Sequence, residues 1–185
     1  MKLAIVLGST REGRKSPLVG EAIMKHSSDY PDIEFDLIDI QDYDLPLFKK
    51  NFSSYGGSEP EYDRLNALHQ RLSDADGYIF VVSEYNHGIS ASLKNVFEYY
   101  YTEFNNKAAG LVSYGLDGGV RAAEHVRLIA AELRMPTVRT HVTMNIFTEF
   151  TKEGFNPQEF NTKRLHTLIG EVKEWSDALS VLRNK

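Results

Sequence analysis

Leu3-Ala4-Ile5-Val6-Leu7-Gly8-Ser9-Thr10-Arg11-Glu12-Gly13-Arg14-Lys15-Ser16-Pro17 is the stretch that decides the fold. Its first five residues are an unbroken apolar run, which near an N-terminus predicts a strand buried on both faces. Val19, Ala22, Ile23 and His26 then recur at helical spacing. Ser16 is placed to cap that helix and Pro17 to open it. The chain therefore runs strand, glycine-rich loop, helix. That order points free backbone N–H groups and the positive end of a helix dipole into the loop. The loop adds the hydroxyls of Ser9, Thr10 and Ser16 and the cations Arg11, Arg14 and Lys15. Small residues, hydroxyls and arginine together describe a phosphate cradle. A nucleotide-hydrolase P-loop matches poorly, because Arg14 is one residue too many between Gly13 and Lys15.

Beyond His26 the helix is expected to run to about Ser28 and to break at Asp29-Tyr30-Pro31-Asp32. Ile33, Phe35 and Leu37 alternate with acids, which suits a half-buried edge strand ending near Ile40. Gln41–Tyr55 reads as a long loop carrying Tyr43, Phe48, Phe52 and Tyr55. Such a loop either covers its own sheet or contacts another subunit, and clustered aromatics favour the subunit contact. Ser58 and Glu61 have capping-box spacing before a helix with Leu65, Leu68 and Leu72 on one face. Tyr78–Val82, the most apolar run, predicts a central strand that empties into Ser83-Glu84-Tyr85-Asn86-His87-Gly88-Ile89. Ser90 can cap the next helix, along which Leu93, Val96, Phe97, Tyr100 and Phe104 fall in register. Ala108–Val112 predicts a fourth strand, followed by Ser113-Tyr114-Gly115-Leu116-Asp117-Gly118-Gly119 and a helix from Val120 to Leu133. A fifth strand spans Thr137–Met144, and a last helix carries Leu165, Leu168, Val172, Trp175, Leu179 and Leu182, expected to pack on its own sheet.

Five strands alternating with five helices predict a doubly wound α/β fold. The strands form a parallel sheet with helices on both faces, because parallel strands need crossover helices. At 185 residues, 42% of them hydrophobic and 25% charged, the chain has the balance of a single globular domain over 1–185. A net charge of -5 offers no basic surplus for nucleic acid. The absence of cysteine excludes disulfides, thiol catalysis and zinc–thiolate sites. With no leader pattern and no membrane-spanning run, the expected location is the cytoplasm. Ligands of such sheets sit beyond the carboxyl ends of the strands, where strand order reverses. The loops that leave strands one, three and four at that rim are also the ones rich in glycine and hydroxyls.

Those three loops resemble the NAD(P)H-dependent FMN reductase family, which has a flavodoxin-like fold. The resemblance is carried by Gly8-Ser9-Thr10-Arg11 with Ser16, by Glu84-Tyr85-Asn86-His87-Gly88 with Leu93-Lys94-Asn95, and by Ser113-Tyr114-Gly115 with Gly118-Gly119. It covers about Lys2 to Met144. Ser83 stands where the family usually has proline, and Ser90 where it often has another. The resemblance implies a strand order of 2-1-3-4-5. It also implies FMN as cofactor and NADPH or NADH as co-substrate. Ser9, Ser16 and the loop amides would hold the FMN phosphate, with Arg11 pairing to it and Leu18 beside it; Arg14 and Lys15 are expected to be solvated. Glu84, Tyr85, Asn86, His87 and Gly88 would line the flavin ring edge. Ser113, Tyr114, Gly115, Gly118 and Gly119 would turn backbone N–H groups to its pyrimidine end. No catalytic side chain is required, His87 included, since the cofactor carries the hydride chemistry. No metal is implied. The expected acceptor is small: a free flavin, a quinone, an azo compound or a metal oxyanion. The family also implies a homodimer or homotetramer. The alternative is a flavodoxin-type electron carrier, which binds FMN without its own nicotinamide activity.

Overall fold

The computed structural model describes residues 1–151 and 154–183. Strand β1 (Lys2–Leu7) leads through the Gly8 loop to helix α1 (Ser16–Met24) and then to β2 (Glu34–Asp39). Helix α2 (Tyr62–Asp74), strand β3 (Gly77–Tyr85), a two-residue strand β4 (Gly88–Ile89) and helix α3 (Ala91–Tyr99) follow. Next come β5 (Ala108–Gly115), α4 (Val120–Glu132) and β6 (Thr137–Asn145). A small hairpin of β7 (Phe150–Thr151) and β8 (Gly154–Phe155) precedes the long helix α5 (Glu159–Arg183).

β2, β1, β3, β5 and β6 lie side by side in that order, all parallel. With the five long strands numbered in sequence this is 2-1-3-4-5, the flavodoxin-like order. Strands alternate their side chains between faces. Leu3, Ile5 and Leu7 of β1 therefore enter one core and Ala4 and Val6 the other, and all five are buried. α1 and α5 cover the first face through Val19, Ile23, Leu165, Leu168 and Val172. α2, α3 and α4 cover the second through Leu65, Leu72, Leu93, Val96, Ala122 and Val126. The helices after β1 and β3 thus leave for opposite faces, and a crevice opens between the loops that lead to them. Among the described residues no helix is long and apolar enough to cross a membrane.

Several local expectations are corrected by packing. Lys15, not Ser16, holds the cap position of α1, and it makes no side-chain cap. α2 starts at Tyr62 without a Ser58 capping box; Glu59 instead accepts from the Gly56 amide and from Lys50 Nζ, each at 2.8 Å. Of the acids on β2, Glu34 is exposed, while Asp36 is covered by Arg71 of α2, which donates to it at 3.1 Å through Nε. The aromatic loop covers its own core. Tyr43 is buried and accepts from Arg71 at 2.9 Å, while Phe48, Phe52 and Tyr55 pack on the α2–α3 layer. Large rings gain most by removing their area from water, and the nearest apolar surface is that layer. α3 ends at Tyr99, five residues before Phe104, and Trp175 of α5 is half exposed while its neighbour Ser176 is fully buried against Gly77 of β3.

α5 sits close because β5 offers it a glycine. A Cβ on Gly110 would lie 2.6 Å from Leu168 Cδ2 and 2.8 Å from Val172 Cγ2. Gly110→Ala should therefore lower stability by about 1–3 kcal/mol, the cost of overpacking a filled core. Thermal denaturation checks this, at about 2–4 °C per kcal/mol for a chain of this size.

Candidate active site at the carboxyl ends of the strands

The Gly8 loop is held tightly at its base. Gly8 N donates to Val81 O at 3.0 Å, and the Gly8 carbonyl accepts from Ser90 Oγ, which also caps α3 by accepting from Leu93 N at 3.1 Å. Above that anchor Arg14 N donates to Arg11 O at 3.1 Å and closes a turn over Gly13, whose φ is +70°. The amides of Ser9, Thr10, Glu12, Gly13, Lys15 and Ser16 find no hydrogen-bond partner among the described residues. Unpaired amides at a helix N-terminus attract an anion. Arg14 is not solvated: its guanidinium pairs with Asp39 at the end of β2. Lys15 and Arg11 are exposed, and Arg11 Cζ lies 5.4 Å from the Tyr85 ring centroid.

β3 overshoots the sheet and turns back as β4, with Tyr85 opposite Gly88. The two residues of the turn, Asn86 and His87, have φ of 48° and 72°, the left-handed pair that a two-residue hairpin demands. The Glu84 carboxylate points away from the turn to the start of α4. It accepts from Arg121 N at 3.0 Å and Arg121 Nη1 at 2.7 Å. The cap residue of α4 is Gly119, which has no side chain, so Glu84 supplies the cap from another strand. Those bonds, with Asp117 first and Glu84 second, push the Arg121 guanidinium further up in pKa.

The third loop is the most constrained. Gly118 and Gly119 both have φ of 75°. Ser113 Oγ donates to the Gly118 carbonyl at 2.5 Å and lies 2.7 Å from His141 Nε2 on β6. Burial first, then the cations Arg127 and Arg164, bring the His141 pKa down to about 4, so the ring is neutral and fit to donate to Ser113. Tyr114 is buried, and its hydroxyl looks toward those of Ser16, Ser83 and Tyr85. Burial is the main cause that lifts its pKa to about 12. Tyr85 is engaged with Ser9 Oγ at 2.7 Å, while the buried hydroxyls of Ser16, Ser83 and Tyr114 face one another just outside hydrogen-bonding geometry. Buried hydroxyls placed in this way can partner one another or an incoming polar group.

The three loops surround a cavity of about 920 Å³, within the range of small-molecule sites. Arg11 to Lys15 line one end. Glu84, Tyr85, Asn86, Tyr114 and Gly115 line the middle, and Leu116, Ile146, Phe147 and Phe150 the other end. Ser9 and Ser16 lie beneath it, fully buried. Ser113, Gly118 and Gly119 shape its wall from behind. Leu18, His87 and Gly88 do not line it: Leu18 is exposed on α1, His87 tips the hairpin, and a Cβ on Gly88 would lie 3.2 Å from His125 on α4. Ile146, Phe147 and Phe150 escape sequence reasoning, because Asn145–Phe150 has no period and no motif. One signal was available: they follow the carboxyl end of a fifth parallel strand, on the same rim. The donor set at one end and flat apolar walls at the other fit the phosphate and the ring of FMN.

Placing His87 at the hairpin tip leads to an expected result. His87→Gly should keep full reducibility of bound flavin by NAD(P)H. It should hold or raise stability by up to about 1 kcal/mol, since glycine adopts a left-handed φ freely. Thermal melts and anaerobic reduction of the variant check both.

Comparison with known proteins finds similarity along most of the chain. The family described as NADPH-dependent FMN reductase matches residues 1–149. An NAD(P)H-dependent FMN reductase of Schizosaccharomyces pombe is 26% identical over 175 residues, covering 94% of this chain and 86% of its own. An NADPH:quinone oxidoreductase of Arabidopsis thaliana is 28% identical over 178 residues, covering 91% and 88%. Among solved structures, a flavoenzyme NAD(P)H:(acceptor) oxidoreductase from Paracoccus denitrificans superposes with a TM-score of 0.69 at 17% identity, over 97% of both chains.

Proposed function

The chain belongs to the NADPH-dependent FMN reductase family, and from that membership we propose that it is a two-electron reductase of small planar acceptors of the quinone class. It is an oxidoreductase that works with FMN and NAD(P)H. The redox chemistry, hydride in from NAD(P)H and two electrons out to the acceptor, is supplied by FMN when bound. In this reading the free amides from Ser9 to Ser16 and the Arg11 guanidinium hold the phosphate. Ser16, Ser83 and Tyr114 offer hydroxyls from the floor. Tyr85, Asn86 and Gly115 border the ring, and Glu84, Ser113, Gly118 and Gly119 hold the walls in place without touching it.

The observation that carries the acceptor class is the apolar mouth. Leu116 and Phe147 border the cavity and are 59% and 73% exposed, so they offer a flat, uncharged landing surface beside the ring. A name in the same sense is borne by the Arabidopsis relative. Gly115, which borders the ring without a side chain, helps leave one ring face open for nicotinamide and acceptor in turn, which implies ping-pong kinetics. Steady-state assays with NADPH or NADH against 1,4-benzoquinone, riboflavin, an azo dye and chromate test this. The expected result is the highest kcat/KM for the quinone, falling in Phe147→Ser with FMN content unchanged. A higher kcat/KM for chromate or the azo dye would overturn it.

Self-association belongs to the same proposal. Leu47 and Leu128 are exposed at 79% and 75%, on the side whose core holds α2, α3 and α4. They support a homodimer or homotetramer better than the aromatic loop does, since Tyr43 is buried in its own core and Phe48, Phe52 and Tyr55 are half-buried against it. Sedimentation showing only a monomer at working concentration would remove this part.

A further inference from the structure

His26, Asp29 and His166 come together far along the sequence and away from the cavity. α1 leaves the carboxyl rim at Ser16, and its nine residues, about 14 Å of helix, carry the chain toward the opposite rim before His26. Among the described residues this is the one group of histidine and carboxylate side chains whose ligand atoms all lie within 4.8 Å of one another. His26 Nδ1 is 3.3 Å from Asp29 Oδ2, and His166 Nε2 is 3.8 Å from the same oxygen.

A fourth residue fixes the histidine that comes from α5. The Tyr30 hydroxyl has one proton, which it donates to the His166 carbonyl at 3.1 Å. It can then only accept at His166 Nδ1, 3.3 Å away. Nδ1 of His166 therefore carries the hydrogen, and Nε2 faces the Asp29 carboxylate. A positive centre, either a proton or a metal ion, is favoured between the two. An outer partner that sets the tautomer is also the usual companion of a metal-bound histidine.

We propose that His26, Asp29 and His166 form a binding site for a divalent first-row transition ion of the zinc type. Two imidazoles and a carboxylate suit such an ion better than magnesium or calcium, which take oxygen ligands. Ligand atoms around a tetrahedral zinc are about 3.4 Å apart, by bond lengths near 2.0–2.1 Å. The observed 3.3 and 3.8 Å need only small side-chain movements. Water completes the shell, because the Asp29 side chain is half exposed and the His166 side chain two-fifths. The ion would tie the end of α1 to α5.

Calorimetric titration of untagged, FMN-loaded, chelator-treated protein with zinc tests this, with cobalt(II) as a visible-absorbance probe. The expected result is one zinc per chain, a raised melting temperature by mass action, and a cobalt d–d band. Uptake should vanish in His26→Ala, Asp29→Asn and His166→Ala, and weaken about 10–100-fold in Tyr30→Phe. FMN content should stay the same in Asp29→Asn, an exposed and isosteric change that also serves as the folding control. No saturable uptake would leave only a histidine–aspartate contact and overturn the proposal. Uptake unchanged in Asp29→Asn and His166→Ala would overturn it too.

Discussion

Gly119→Ala should give a protein that purifies without flavin colour. The φ of Gly119 is +75°, which costs a residue with a Cβ about 1–2 kcal/mol. The added carbon would also lie 2.8 Å from both the amide and the carbonyl of Tyr114 and 2.9 Å from Ser113 Cβ. Two of those are backbone atoms that no rotamer change can move. Overpacking adds about 1–3 kcal/mol, so the loop must shift. Its shift moves the start of α4, the Glu84 cap and the Tyr114–Gly115 wall together. Gly13→Ala is the matching control: its φ is +70°, but nothing lies within 4 Å of the new carbon. It should lose only the conformational part and keep its flavin. The ratio of flavin to protein absorbance, with thermal melts, checks the pair.

Arg11→Ala should weaken FMN and leave riboflavin nearly alone. Arg11 is an exposed cation that lines the end of the cavity with Glu12, Gly13 and Lys15, whose amides are free, and its guanidinium lies over the Tyr85 ring. A charged hydrogen bond of this kind contributes about 1.5–3 kcal/mol, or about tenfold to 150-fold in Kd. Fluorescence titration of the apoprotein with each flavin measures the difference. Equal weakening of both would show that Arg11 supports the ring and does not hold the phosphate.

The strands themselves were legible because β1, β3 and β5 are continuous apolar runs, β2 alternates apolar residues with acids, and the loops between them are punctuated by glycine; their order came from the family resemblance. Tyr78–Val82 and Ala108–Val112 could be little else than central strands. Boundaries were less legible, because capping chemistry is easily satisfied from a distance. Ser16 has the right type for a cap, yet it enters the helix, and α4 is capped by Glu84 from another strand. Arg14 looked solvated because its partner, Asp39, lies 25 residues away. Phe147 and Phe150 carried no motif, since a cavity wall needs only shape and apolar surface. The aromatic loop was ambiguous in principle: Tyr43 and Phe48 bury the same area whether against their own helices or a neighbour's. The His26–Asp29–His166 group was invisible for the plainest reason, a separation of about three-quarters of the chain.

FMN held between the Gly8, Glu84 and Ser113 loops with one ring face open should take hydride directly from NAD(P)H. Anaerobic stopped-flow mixing of the FMN-loaded protein with NADPH and with NADH measures this. At least one nucleotide should bleach the flavin at a rate compatible with turnover, about 1–10³ s⁻¹. Flavin that dithionite reduces at once, but that neither nucleotide reduces within minutes, would contradict it.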